Sequence, residues 1–298
     1  MSAPRIAIVG ATGAVGHEFL RVLAEREFAM RSLKLLASPR SAGQRLPFRG
    51  EQHLVEALSA SSFDDVDVAF FSAGGGTSRE FAPKAVAAGA VVIDNSSAFR
   101  MQADVPLVVP EVNRAAIAGH QGIIANPNCS TIILVLALQP LHRRAGLQSV
   151  VVSTYQAASG AGQRAMDEMH AATRAVLAGE APPKPDALAQ SLAFNLFPHV
   201  DVFMDDGFTR EEDKMLFEVR KILDMPALTV DATCVRVPVA RCHSESVAVK
   251  LEKNLTVTEA REVFGSSPGL TVLDDPENAR YPMPCDYAGL DDVAVGRV

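Results

Sequence analysis

The stretch Ile6-Ala7-Ile8-Val9-Gly10-Ala11-Thr12-Gly13-Ala14-Val15-Gly16 decides the fold. Ile6–Val9 is a short unbroken apolar run, the pattern of a strand buried on both faces. Glycines follow at 10, 13 and 16, and Val15–Arg26 then carries helical periodicity. Only between a strand and a helix does such glycine spacing have a physical meaning. Gly10, Gly13 and Gly16, with Thr12, Ala14 and Val15 among them, allow a tight turn. Its backbone N–H groups can reach a pyrophosphate at the helix N-terminus, where the dipole favours negative charge. A β–α turn without a ligand has the same sequence, so the rest of the chain must decide.

Outward from that turn, Leu33–Ala37, Val66–Ser72 and Ala90–Ile93 read as strands and Arg79–Ala88 as a helix. Strands alternating with helices imply βαβ units and a parallel sheet: an α/β, Rossmann-like dinucleotide-binding domain. A site for NAD carries a carboxylate at the end of the second strand, for the ribose 2′-OH. Here that strand ends Ala37-Ser38-Pro39-Arg40-Ser41, with no carboxylate. Arg40, with the hydroxyls of Ser38 and Ser41, suits a 2′-phosphate, and hence NADP; a solvated loop arginine is the alternative. Ser72-Ala73-Gly74-Gly75-Gly76-Thr77 ends another strand, and Ser72 and Gly74 would let a cofactor backbone pass closely.

The texture changes at the turn Asn126-Pro127-Asn128. An apolar helix is expected from Thr131 to about His142, then a strand at Val150–Tyr155, a loop at Ser159–Gly162 and a helix at Gln163–Ala178. Pro182-Pro183-Lys184-Pro185 marks an exposed connector. An amphipathic helix at Arg210–Leu223, strands at Thr229–Val239 and Ser246–Leu251, and a helix at Thr258–Phe264 capped by Thr258 complete an α+β domain. The expected division is 1–127 and 128–298.

Bulk properties exclude several classes. The 298 residues carry 28 basic and 35 acidic side chains, a net charge of −7, which argues against nucleic acid as the main partner. No apolar run approaches the roughly 18–20 residues that cross a bilayer. Met1 leads almost directly into the first strand, leaving no room for a leader peptide, so a cytoplasmic protein is expected. Cys129, Cys234, Cys242 and Cys285 are scattered and form no CxxC pair, so neither a disulfide framework nor a bound metal is expected.

Three side chains carry candidate chemistry. Cys129 sits where the irregular segment becomes a helix; with Ser130 or Thr131 as cap, a thiolate there meets the helix dipole and its free N–H groups. An inert buried cysteine is the alternative, and the other three cysteines, in or near strands, are read as structural. His243, in Arg241-Cys242-His243-Ser244-Glu245, falls at an exposed corner between two strands, where a base would serve the thiol; a surface loop histidine is equally compatible. Arg236 stands in the apolar run Val235-Arg236-Val237-Pro238-Val239, costly unless it pairs with an anion, either a substrate carboxylate or an internal one.

Taken in order, these pieces resemble the aspartate-β-semialdehyde dehydrogenase family. The resemblance rests on Gly10–Gly16, Asn126-Pro127-Asn128-Cys129-Ser130-Thr131, Gln156-Ala157-Ala158-Ser159-Gly160-Ala161-Gly162, Glu211-Glu212-Asp213-Lys214-Met215, Arg236-Val237-Pro238-Val239 and His243-Ser244-Glu245. It implies a Rossmann-like domain followed by an α+β catalytic and dimerisation domain, a homodimer, and NADPH-dependent reduction of β-aspartyl phosphate in lysine, methionine, threonine, isoleucine and diaminopimelate biosynthesis. Cys129 would form the thioester, with His243 as acid/base and Gln156 orienting the substrate. Arg236 would bind the α-carboxylate and Glu211 the amino group, while Arg100 and Lys214 would bind phosphate. Thr12 to Val15, Arg40, Ser41, Ser159 and Gly160 would contact NADP.

The related N-acetyl-γ-glutamyl-phosphate reductases share fold and mechanism but typically carry Gly-Cys at the nucleophile. Asn128 beside Cys129, with Glu211 and Lys214, favours the aspartyl substrate. A non-catalytic NADP-binding subunit is the alternative from another class. Family members continue through a further strand and a final helix, whereas this chain stops at Val298; the resemblance therefore implies a truncated form that binds NADP weakly and is poorly active.

Overall fold

The computed structural model describes residues 3–298; Met1 and Ser2, which open the expected first domain, lie outside them. The chain divides into two compact units, residues 3–108 with 115–127, and 109–114 with 128–298. Relative to a single cut after 127, residues 109–114 belong with the second unit.

In the first unit, β1 (Arg5–Val9), β2 (Ser32–Ala37), β3 (Arg45–Phe48), β4 (Glu51–Ala57), β5 (Val68–Phe71), β6 (Val91–Asp94) and β7 (Ile123–Ala125) form one sheet, ordered β3-β4-β2-β1-β5-β6-β7. All neighbours are parallel except the β3–β4 hairpin. α1 (Ala14–Glu25) follows β1 and α2 (Gly75–Ala87) follows β5. Ile6, Ile8, Leu20, Leu23, Leu35 and Val55 pack into one core cluster, which explains the unbroken apolar runs. The hairpin escaped the sequence reading because β3 contains Pro47 and β4 opens with Glu51, Gln52 and His53.

The second unit begins with the short helix α3 (Pro110–Asn113) and the long α4 (Cys129–Ala145). A three-stranded sheet, ordered β10-β8-β9, combines β8 (Leu147–Gln156), β9 (Thr229–Arg236) and β10 (Ser244–Leu251). β8 is parallel to β9 and antiparallel to β10. α5 (Gln163–Leu177) and α6 (Arg210–Leu223) complete the body of the unit; α7 (Val257–Gly265), the pair β11 (Leu270–Val272) and β12 (Val293–Val295), and α8 (Pro284–Tyr287) close it.

Four local expectations need correction. α4 starts at Cys129, because the Asn128 carbonyl already accepts the Ile132 N–H at 2.9 Å; Asn128 is the cap, and Ser130 and Thr131 lie buried inside the helix with unpartnered hydroxyls. α7 is capped by Thr256, whose hydroxyl accepts the Glu259 N–H while Glu259 reaches back to the Thr256 N–H. β9 ends at Arg236, two residues before a proline that has no N–H to pair. Cys285 is exposed in α8 rather than near a strand; all four cysteines are free thiols. Among the described residues no helix is long and apolar enough to cross a membrane, and no cluster of possible metal ligands occurs.

Candidate active site and cofactor cradle

In the first unit the strand order reverses around β1, which lies between β2 and β5, and ligands of open α/β sheets bind outside the strand carboxyl ends at such a point. Gly10 leaves β1 with φ +88°, and a Cβ there would stand 2.4 Å from the Ser72 carbonyl oxygen. A Cβ on Gly16 would stand 2.4 Å from the Gly10 oxygen. Both glycines are therefore required by close backbone approach. Gly13 caps α1 without a side-chain hydrogen bond, leaving the first-turn donors to a ligand. Thr12 and Ala14 are half-buried, and Val15 is exposed on the same turn. After β5, Ser72 is pinned by its N–H to the Val9 carbonyl at 2.8 Å, and Gly74, with φ +84°, opens α2 with open space around its Cβ position. Arg40 and Ser38 are exposed in the turn after β2, and the Ser41 N–H bonds to the Ser38 carbonyl at 2.9 Å. These residues fit a dinucleotide carrying a 2′-phosphate.

Arg100 lies in the same unit, buried, donating to the Asn95 carbonyl at 3.0 Å. Sequence reasoning missed what holds that turn. Asp94, fully buried, accepts from the Ser78 hydroxyl at 2.7 Å, the Ser96 hydroxyl at 2.8 Å and the Ser96 N–H at 3.1 Å.

The second unit contains a cavity of about 370 Å³ that brings together Asn128, Cys129, Gln156, Gly160, Glu211, Lys214 and Arg236. Cys129 is the first residue of α4. Its Sγ lies 3.2 Å from His243 Nε2, and His243 Nδ1 accepts the Ala157 N–H at 2.9 Å. Gln156 ends β8 in register with Arg236 at the end of β9, so the parallel pairing presents both side by side. Arg236 is buried and donates to the Ala157 carbonyl at 2.7 Å. Ser159 lies in the turn that follows, its N–H on the Ala240 carbonyl at 3.0 Å.

Glu211 is the hub. Its Oε1 accepts from Asn128 Nδ2 and Gln156 Nε2, both at 2.9 Å, and its Oε2 from Lys214 Nζ at 3.1 Å. Lys214 also donates to Asp201 at 2.6 Å. Two turns along α6, on the same face, buried Glu218 accepts the Asn128 N–H at 2.6 Å. α6 is started by a capping box between Thr209 and Glu212. Asp201 and Glu218 were not singled out from sequence. A carboxylate two turns from Glu211 among the apolar positions Met215, Val219 and Ile222 was the available signal for Glu218; Asp201, in a loop with φ +65°, offered none.

Electrostatics follow from burial and pairing. Burial pushes the Glu211 carboxyl up, yet Lys214 and the bonds from Asn128 and Gln156 bring it below its ordinary value. Burial draws Lys214 down, but Glu211 and Asp201 leave it above its ordinary value. Burial and then Arg236 lower His243 to about 4, against the opposing pull of Glu211. Cys234, buried in β9, is pushed well up by burial and is inert at neutral pH.

With the geometry in place, similarity to known proteins identifies the family. Residues 5–120 match the family description "Semialdehyde dehydrogenase, NAD binding domain" and residues 138–298 match "Semialdehyde dehydrogenase, dimerisation domain". An aspartate-semialdehyde dehydrogenase of Aquifex aeolicus is 52% identical over 99% of this chain and 87% of its own. This chain belongs to the aspartate-semialdehyde dehydrogenase family. A crystal structure of aspartate semialdehyde dehydrogenase II from Vibrio cholerae, complexed with ASA, superposes with a TM-score of 0.96 at 42% identity, covering 100% of this chain and 88% of its own. Another family structure, from Candida albicans with NADP, gives a TM-score of 0.74 at 25% identity, covering 99% and 89%.

Proposed function

We propose that this chain catalyses the NADPH-dependent reduction of L-β-aspartyl phosphate to L-aspartate-β-semialdehyde and phosphate through a thioester on Cys129. One observation carries the reading: Cys129 Sγ stands 3.2 Å from His243 Nε2 beside a cavity lined by Gln156, Glu211, Lys214 and Arg236. The substrate has an anionic group at each end and an amine between, which those charges complement. Arg236 takes the α-carboxylate in this reading. Glu211 retains one acceptor position on Oε2 for the amine, and Lys214, with a third N–H beyond its two carboxylate partners, takes the phosphate.

Cys129 attacks the acyl carbon and phosphate leaves, which splits one hard displacement into two easier steps. Bound NADPH supplies the hydride that reduces the thioester carbon. Gln156, held by Glu211 and by the Thr154 hydroxyl at 3.0 Å, orients the acyl group. Gly10, Thr12 to Gly16, Ser38, Arg40, Ser41, Ser72, Gly74, Ser159 and Gly160 are the cofactor contacts. A homodimer is part of the proposal: β8 turns Val151 and Tyr155 outward, 53% and 44% exposed, on an open sheet face.

The test is NADPH formation from aspartate semialdehyde, NADP and phosphate, in the wild type and in Cys129→Ser. The wild type turns over and the variant falls by orders of magnitude while still binding NADP. A wild type without NADPH formation, or a variant near the wild-type rate, rejects the reading.

A further inference from the structure

Every polar group of Asn128, the residue before Cys129, is engaged. Its N–H donates to Glu218 Oε2 at 2.6 Å, and its carbonyl accepts the Ile132 N–H at 2.9 Å. Its Nδ2 donates to Glu211 Oε1 at 2.9 Å, and its Oδ1 accepts from the Cys129 thiol, with Sγ at 3.4 Å. An asparagine at a helix N-cap ordinarily turns its side-chain oxygen onto the N–H groups of the first turn. Asn128 makes no such bond, so its side chain does not close the start of α4. Pro127 has no N–H, which leaves the Asn128 N–H as the last main-chain donor before the helix. Its acceptor comes from another helix. Glu218, 1% exposed, stands on α6 two turns from Glu211, so one face of α6 holds Asn128 by backbone and side chain at once. Met215, Val219 and Ile222 are the buried apolar neighbours on that helix, among which a carboxyl is costly unless it is hydrogen-bonded.

We propose that Glu218 is a positioning residue: by holding the Asn128 N–H it fixes the peptide plane at the entrance of α4 and so aims Cys129 and the first-turn N–H groups. The entry is extended at Asn128, φ −60° and ψ 145°, and helical from Cys129 onward. Rotation of the Asn128 peptide therefore tilts the first turn and swings the Cys129 Sγ with it. Small misplacements of a reacting atom are expensive in rate. Glu218 does not line the cavity, so it touches no substrate and works through Asn128. The two carboxyls of α6 divide the work. Glu211 faces the cavity and meets Asn128 through its side chain, whereas Glu218 sits behind it and meets the backbone.

The catalytic consequence rests on the thioester reading, whereas the bond belongs to the free protein and is measured without turnover. In the ¹⁵N-labelled full chain the Asn128 amide proton, held at short distance by a carboxyl oxygen, should resonate far downfield. An ordinary amide shift in the wild type overturns the proposal. Its role is read from two pairs of variants, each matched in charge. Glu218→Asp keeps the carboxyl of the wild type but withdraws it by one methylene. Glu218→Ala and Glu218→Gln both lack the carboxyl, but glutamine keeps an acceptor oxygen. Aspartate against the wild type, and alanine against glutamine, should alkylate Cys129 with iodoacetamide several-fold more slowly at pH 7, read on the Cys129 peptide by mass spectrometry. Within each pair kcat per reactive Cys129 should fall about tenfold or more, with NADP affinity unchanged. A merely structural role would lower the number of reactive Cys129 thiols and leave the rate constant of each unchanged; that result overturns the proposal. Should Glu218→Ala not fold, aspartate against the wild type decides. A wild type that forms no NADPH rejects the proposed function, and the amide shift and alkylation rates still decide this inference.

Discussion

The glycine turn of the first unit and the Cys129 cavity of the second are built in opposite ways. The turn is made of backbone. Gly10 and Gly16 lie six residues apart, and what they need is the absence of a Cβ. The cavity is made of side chains brought from distant segments: Asn128 meets Glu211 across 83 residues, Gln156 meets Glu211 across 55, and His243 meets Cys129 across 114. A backbone site is written locally and fails by collision. A side-chain site is written by the fold and fails when one buried partner is lost.

The largest effect that would break this contrast is at Gly10. Gly10→Ala adds a Cβ 2.4 Å from the Ser72 oxygen at φ +88°, costing about 2–5 kcal/mol in the first unit. NADP binding by calorimetry should be lost while Cys129 still reacts with iodoacetamide. A variant that binds NADP normally would show that the turn is not the cradle.

At the hub, Glu211→Ala leaves the amides of Asn128 and Gln156 and the ammonium of Lys214 without their acceptor. The expected loss is about 2–4 kcal/mol in denaturant unfolding, with activity lost alongside. A loss confined to activity would mean that the hub serves substrate alone.

The contrast was already visible in what the sequence disclosed. Helix Arg210–Leu223 and the βαβ order were legible because periodicity and glycine spacing are local signals. Glu218, Asp201, Asp94 and the Ala157 N–H were not, since their meaning depends on partners placed by tertiary structure. The family resemblance named Glu211 as an amine ligand; the structure adds that it also holds Asn128, Gln156 and Lys214.

Acid should loosen the cavity unit by a definite route. His243 titrates at about 4 when folded, against an ordinary 6.5, so the unfolded chain binds more protons between those values. Its contribution to stability is present above pH 6.5 and is lost as pH falls from 6.5 to 4. Asp201 and Glu211, both depressed, contribute stability that is present above their ordinary values and is lost as pH falls through their lowered folded values. Urea midpoints measured from pH 7 to pH 4 should fall more for the wild type than for His243→Asn; equal slopes would remove His243 as the cause.

The smallest effect sharpens the backbone side of the comparison. Arg40→Asp replaces a charge pairing with a repulsion at the proposed 2′-phosphate position, so NADP should lose about tenfold or more in affinity while NAD loses little. Equal losses for both cofactors would show that Arg40 does not read that phosphate.

Peptide mass spectrometry of the protein quenched in acid after incubation with aspartate semialdehyde and NADP, with phosphate withheld, tests the central claim most directly. The account predicts an aspartyl adduct on Cys129 and on no other residue, disappearing when phosphate is added. NADPH formed with no adduct, or an adduct elsewhere, would contradict it.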